Sequence, residues 1–391
     1  MTDRPLDNVS LDETSDDLDE VDNLDAHIHH EPSSTSPTTN ANQSQQQPSL
    51  QPELPPPRGQ IATLSQSANA PKLYIVGPSP LSPAVTSLSS SLSSITTPPV
   101  PKLLVLLTNS RGLASPHNLR LADRFADRLG CLVVIPDLLD GDAVTSTAES
   151  ASDLATSSKH HNHHNTPANK ESHDSATSLL SRFKMAAVSL ASSFMHDMWV
   201  AKHSTERTLP LLRAHMLDLI TVYRPARVAV VGYSFGGKYA LHAAAPPPGF
   251  QDGAWAADEV DTIVCAAAVH PSLLEGAPGS STKVNGDGDD SGAQFDFGRI
   301  RKPVLLVYSK NDDLLPAPVV AKALRVLNEN NVPVETAVYD NEDERNAHLD
   351  DEEVPPLPHG FAVPGDYPES VVGDRPESVF NLVATWVGEH L

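Results

Sequence analysis

The chain has 391 residues, of which 39% are hydrophobic and 35 are prolines, and it carries a formal net charge of −23. That suffices for one large α/β domain with additions, but not for a packed core along the whole length. The negative charge repels nucleic-acid phosphates and anionic bilayer surfaces, so neither nucleic acid nor membrane is expected as a partner.

Residues 1–70 are acidic and then rich in Ser, Thr, Asn, Gln and Pro. They offer too little apolar surface to offset the entropy of ordering, and a disordered tail is expected there. The start of the chain has neither a basic n-region nor an apolar h-region, and no apolar run approaches the roughly 18 residues of a membrane span. A soluble cytoplasmic protein is therefore expected. The two cysteines, Cys131 and Cys265, sit inside apolar runs and read as small buried hydrophobes in a reducing compartment rather than as a disulfide.

From residue 71 to 391 strands and helices alternate. Lys72–Gly77 is a short strand candidate, and Lys102–Thr108 is a near-continuous apolar run of strand length, as a parallel strand covered on both faces requires. The loop Asn109–Pro116 leads to a helix whose Leu119, Leu121, Ala122, Phe125, Ala126 and Leu129 share one face, ended by Gly130. Cys131–Asp137 is the next buried strand. Polar insertions interrupt the pattern near 143–175, 276–293 and 340–357. The first contains His160, His161, His163 and His164, but adjacent imidazoles without Cys or carboxylate ligands at a fixed offset rarely close a coordination shell, so no metal site is expected.

Helical patterns follow at Thr177–His196 and Thr205–Tyr223. Strands are expected at Val228–Tyr233, Asp261–Val269, Pro303–Tyr308 and Val332–Tyr339, with helices at Ala317–Leu327 and from about Glu369 to Leu391. This alternation implies one doubly wound, mostly parallel sheet.

Gly232-Tyr-Ser234-Phe-Gly236 lies between a buried strand and a helix, the context of a nucleophile elbow. Ser234 must occupy a sharp, strained turn, where a side chain at Gly232 or Gly236 would collide with neighbouring backbone. The Phe235 N–H, at the positive end of the helix, is placed to donate to an oxyanion. The chain order of such sites predicts an acid and then a histidine downstream, each on a loop after a strand. The loop Ser309–Pro316 offers Asp312 and Asp313, of which Asp313 also suits a helix N-cap. His359 lies after the last strand and before the last helix. His242 is too far along its helix to reach Ser234, and His270, at a strand end on the same edge of the sheet, is a candidate for the pocket, as is Tyr233. Ser110, soon after the early strand, is the natural second oxyanion donor through its N–H. Its neighbours Asn109 and Arg111 are candidates for contacting substrate or are solvated loop residues. No cofactor is expected.

The stretches Leu-Leu-Thr-Asn-Ser-Arg-Gly-Leu, Leu-Val-Val-Ile-Pro-Asp137-Leu-Leu-Asp-Gly-Asp142, Gly-Tyr-Ser234-Phe-Gly-Gly-Lys, Val-His270-Pro-Ser, Asn-Asp312-Asp-Leu-Leu-Pro and His359-Gly-Phe come in fixed order. Together they resemble the dienelactone hydrolase family of the α/β-hydrolases, more closely its eukaryotic, fungal-type members, from about residue 72 to the end. The resemblance implies an α/β-hydrolase fold and Asp312 as the acid, because the family's Asp precedes a Pro by four positions, as Asp312 precedes Pro316. Two departures matter. The namesakes carry Cys where this chain has Ser234, and a serine depends more on a well-placed base. They also carry a Glu after the early strand and an Arg soon after the histidine, where this chain has Asn109 and Val363. The implied activity is cleavage of a small carboxylic ester, lactone or thioester by Ser234, His359 and Asp312. The competing readings are a catalytically inactive hydrolase-fold scaffold and an acyltransferase using the same three residues.

Overall fold

The computed structural model describes residues 55–63, 72–77, 99–144, 197–245, 262–275, 295–340 and 357–391, all within the compact unit Pro55–Leu391. Eight strands form one sheet: β1 (Gln60–Thr63), β2 (Lys72–Val76), β3 (Lys102–Leu107), β4 (Leu132–Pro136), β5 (Arg227–Tyr233), β6 (Ile263–Val269), β7 (Val304–Ser309) and β8 (Val334–Tyr339). Their order is β1-β2-β4-β3-β5-β6-β7-β8. The β1–β2 and β2–β4 pairs are antiparallel and the remaining pairs parallel. This is the doubly wound, mostly parallel sheet expected from the sequence.

The helices are α1 (Pro116–Leu129), α2 (Thr205–Tyr223), α3 (Phe235–Ala243), α4 (Ala317–Glu329), α5 (Glu369–Val372) and α6 (Arg375–His390). Because successive strand side chains point to opposite faces, the apolar runs divide between two layers. Leu104, Leu106, Val133, Ile135, Ala229 and Val231 pack against α1 and α6, where the Phe125 and Phe380 rings lie 4.9 Å apart. Their neighbours Leu103, Val105, Val134, Val228 and Val230 pack against α2 and α3. A third cluster joins β6 and β7 to α4. Each large side chain buried this way contributes about 1.5–3 kcal/mol. Both faces are covered, so the central strands are apolar throughout rather than alternating.

Part of the stretch expected as a tail, residues 55–63, is among the described residues and contains β1, which extends the sheet as an edge strand on β2. Its anchor is Asp123 of α1, whose carboxylate accepts from the Arg58 N–H at 2.8 Å and from the Tyr74 hydroxyl at 2.6 Å. The Gly59 N–H in turn donates to the Tyr74 oxygen at 2.6 Å.

Two boundaries move. The strand expected from Asp261 starts at Ile263, and the last helix is broken at Gly373, whose φ is 57°, before α6 starts at Arg375. The helix expected at Thr177–His196, the four-histidine cluster and most of the polar insertions lie outside the described residues. Among the described residues, no helix is long and apolar enough to cross a membrane.

Candidate active site

The site is built on the carboxyl ends of β3, β5, β6 and β7. Between β5 and α3, Ser234 adopts φ 51° and ψ −114°, a backbone region that L-residues rarely occupy. Such strain of about 1–3 kcal/mol persists only where the surroundings over-determine it. Here the Ser234 N–H donates to Val269 O at 3.0 Å, and its carbonyl accepts from Gly237 N at 2.9 Å and Ser272 N at 3.2 Å. The turn is close-packed as well as strained: a Cβ on Gly232 would strike Gly236 O, and one on Gly236 would strike Leu107 O. Both obstacles are backbone atoms of strand and helix, which cannot rotate aside. Gly236→Ala is therefore expected to destabilise the fold by about 3 kcal/mol or more, read as a lowered urea midpoint against the wild type.

The other two residues come from loops far along the chain. Ser234 Oγ lies 2.8 Å from His359 Nε2, and His359 Nδ1 lies 2.7 Å from Asp312 Oδ2. Asp312, in the loop after β7, is 4% exposed, and its Oδ1 accepts from the Leu314 N–H at 2.9 Å. Burial works to raise this carboxyl, but the hydrogen bond and charge of His359, with the Leu314 N–H, hold it below its ordinary value of 3.8. Asp313 is exposed. It does not cap α4, whose N-cap is Pro316 with no side-chain hydrogen bond. The His359 carbonyl accepts from the Tyr367 hydroxyl at 2.8 Å.

The Gly236 N–H donates to Thr108 O at 3.0 Å, so the loop carrying Ser110 runs directly beside the elbow. The Phe235 N–H opens α3 and has no acceptor within the helix. Tyr233 and His270 lie inside the packed interior, and Asn109 is also buried. His270 rests edge-to-face on His359, with ring centroids 5.0 Å apart, and against Tyr233 and Phe361. Its side chain is wholly buried at the end of β6, packed behind His359. Asn109 and Arg111 are both bonded to Asp366, Asn109 from a buried position and Arg111 from a partly exposed one. Asp366 and Tyr367 escaped the sequence reading, since the turn Gly365-Asp366-Tyr367-Pro368 offers no periodicity and no motif. A carboxylate seven residues after His359 was the single available signal. Among the described residues, no group of three or more His, Cys, Asp or Glu could hold a metal ion.

Among the described residues, burial depresses several histidines, most strongly His270 and His242. Burial, reinforced by His359, pushes His270 from 6.5 down to about 3, with Asp312 pulling weakly the other way. Burial, then Lys238, Arg299 and Arg213, pushes His242 from 6.5 to about 3 as well. In both cases the unfolded chain binds a proton that the folded chain refuses between those values, so stability is complete above pH 6.5 and is lost as pH falls toward 3. Each contributes a slope of about 1.4 kcal/mol per pH unit inside that window. The His242 ring packs between Tyr239 and Phe295, so His242→Phe is expected to flatten the fall of the urea midpoint between neutral pH and pH 4 without loss at neutral pH.

Residues 92–348 match the sequence model of the Dienelactone hydrolase family. The stretch includes Ser234 and Asp312 and ends before His359. No curated protein matches the chain. Among solved structures, a putative dienelactone hydrolase from Klebsiella pneumoniae subsp. pneumoniae is similar at 16% identity, over 83% of this chain and 97% of that one, with a TM-score of 0.42. Esterase 2 of Thermogutta terrifontis, phosphorylated by paraoxon, is 13% identical over 87% and 97% of the two chains, with a TM-score of 0.44. The dienelactone hydrolase-like promiscuous phosphotriesterase P91 from metagenomic libraries is 14% identical over 84% and 98%, with a TM-score of 0.43.

Proposed function

The chain belongs to the dienelactone hydrolase family of carboxylic ester hydrolases, and from that premise we propose that it cleaves a small carboxylic ester, lactone or thioester through an acyl-enzyme on Ser234. The observation that carries this reading is the continuous hydrogen-bonded series Ser234 Oγ, His359 Nε2, His359 Nδ1, Asp312 Oδ2, at 2.8 and 2.7 Å. In it each residue has one task. His359 Nε2 takes the proton as Ser234 Oγ attacks the substrate carbonyl carbon. Asp312 accepts from Nδ1, which leaves Nε2 free as the base and stabilises the imidazolium that forms. The carbonyl oxygen becomes an oxyanion facing the N–H groups of Phe235 and Ser110. Collapse breaks the bond to the leaving alkoxide or thiolate, which takes the proton from His359. Water, deprotonated by the same nitrogen, then attacks the acyl group and releases the acid and free Ser234.

A serine is acidic only far above neutral pH, so the proton transfer to His359 is what makes it a nucleophile here. The unpaired, buried Cys131 and Cys265 suit a reducing compartment, and we place the protein in the cytoplasm. The test is covalent labelling. A fluorophosphonate probe is expected to mark the wild type on Ser234 and to leave Ser234→Ala unmarked, alongside burst hydrolysis of short-chain p-nitrophenyl esters. Equal labelling of the two proteins would end the proposal.

A further inference from the structure

Asp366 lies in the turn that follows His359, and its side chain is only 7% exposed. A carboxylate so placed is costly unless fully paired, and its partners are specific. Oδ2 accepts from Asn109 Nδ2 at 3.0 Å, and Oδ1 accepts from the Arg111 guanidinium at 3.1 Å. Those two residues flank Ser110. The turn they form is also held from its other side. Asn109 Oδ1 accepts from the Arg111 N–H at 3.2 Å and from Asn118 Nδ2 at 2.9 Å, and that same Asn118 amide donates to Gly112 O at 2.9 Å. Thr108 O, immediately before, is bonded to Gly236 N at 3.0 Å.

On its own side, the Asp366 N–H donates to Val363 O at 3.2 Å. The next residue, Tyr367, donates to the His359 carbonyl at 2.8 Å. One short turn thus grips the Ser110 loop with Asp366 and the His359 loop with Tyr367. These loops meet nowhere near one another in sequence, since Asp366 and Arg111 are 255 residues apart. An apolar residue at 366 would fill the space without desolvating a charge. What the carboxylate adds is direction, two hydrogen bonds with fixed angles on either side of one peptide N–H.

We propose that Asp366 is a positioning residue: by holding Asn109 and Arg111 it sets the place of the Ser110 N–H relative to Ser234 and His359, and so acts on the transition state rather than on substrate binding. This rests on the acyl-enzyme reading above, in which the Ser110 N–H receives the oxyanion. Donors of this kind act on charge that develops only during the reaction, so a shift in the turn lowers kcat and spares KM.

The experiment is steady-state and single-turnover hydrolysis of p-nitrophenyl acetate by the full chain, with circular-dichroism melting of every variant. Asp366→Asn keeps the shape but turns an NH2 toward one of the two donors, and is expected to lower kcat by about 10- to 100-fold with KM within about twofold. Asp366→Ala falls at least as far. Arg111→Ala costs less, and the double variant Arg111→Ala with Asp366→Ala is no slower than Asp366→Ala alone, because the pair acts as a unit. The fluorophosphonate labelling rate falls in step with kcat, since that reaction also builds negative charge on oxygen.

A wild-type kcat in both Asp366 variants overturns the proposal. So does a raised KM with unchanged kcat, or a loss in Asp366→Ala that follows its folded fraction while Asp366→Asn stays fully active. Hydrolysis that is Ser234-dependent but indifferent to Asp366 brings down this inference alone. Hydrolysis that persists in Ser234→Ala brings down the parent reading and this one with it.

Discussion

Ser234→Ala is expected to lower kcat for a p-nitrophenyl ester by about 10⁵- to 10⁶-fold, with KM changed by less than about threefold. The size follows from what the hydroxyl alone supplies. Without Oγ no acyl-enzyme forms, and water must attack the carbonyl directly from a position the elbow does not prepare. The N–H groups of Phe235 and Ser110 and the remaining binding contacts leave a residual acceleration of about 10³–10⁴ over water. The fold is expected to tolerate the change, because Ala retains the Cβ and the backbone bonds to Val269, Gly237 and Ser272 that hold the strained φ of 51°. His359→Ala should be nearly as damaging, and the double variant scarcely worse than either, since the two side chains act in one proton transfer. Steady-state kinetics of the three proteins, with melting curves to exclude unfolding, provide the measurement. A Ser234→Ala enzyme within tenfold of wild type would falsify the acyl-enzyme mechanism.

The second large effect is expected at Asp312. Asp312→Asn should lower kcat by about 10³- to 10⁴-fold while preserving the geometry almost unchanged. An amide NH2 in place of Oδ2 makes Nδ1 of His359 an acceptor. The ring proton then sits on Nε2, which can no longer take the proton of Ser234. Asp313→Asn is the control. That side chain is exposed, so near wild-type activity is expected.

Stability carries a separate signature. The carboxyl of Asp312 is held below 3.8 in the folded chain, so its contribution is present above the ordinary carboxylate range and disappears as pH falls through the depressed value. Asp312→Asn lacks this contribution at every pH. Its urea midpoint should lie below that of the wild type at pH 7, with the difference narrowing in acid.

Much of this arrangement was legible in the sequence where the governing physics is local. The parallel strands β3 to β7 appear as unbroken apolar runs because both of their faces are covered, and covering is a property each strand must carry in its own residues. The elbow is equally local. Gly232 and Gly236 lie within two positions of Ser234, and the collision that demands glycine at 232 is with the same turn, although the one at 236 is with the end of β3. The order of Ser234, Asp312 and His359 could be expected because each lies in a loop at a recognisable strand end.

Other features depended on partners that the sequence does not place. The edge strand β1 is four residues long and half polar. It is ordered because Arg58 and Tyr74 meet at Asp123, 65 and 49 residues away respectively. The residues of the loop after β7 offer two adjacent carboxylates, between which the spacing to Pro316 favours Asp312 only through the family resemblance; in the structure Asp312 is buried and Asp313 exposed. The position of His270 at a strand end is legible in the sequence, but its complete burial, like that of Tyr233, comes from neighbours on other elements.

The sequence by itself therefore determined the sheet and the chemical types at the site, because steric and hydrophobic constraints over a few residues leave patterns in those residues. Only the tertiary structure brought Asp312, implied by resemblance, against His359 and joined the Ser110 loop to the His359 loop through Asp366. Those contacts span 47 and 255 residues, and a hydrogen bond across such a separation imposes no period, spacing or composition on the chain between its ends.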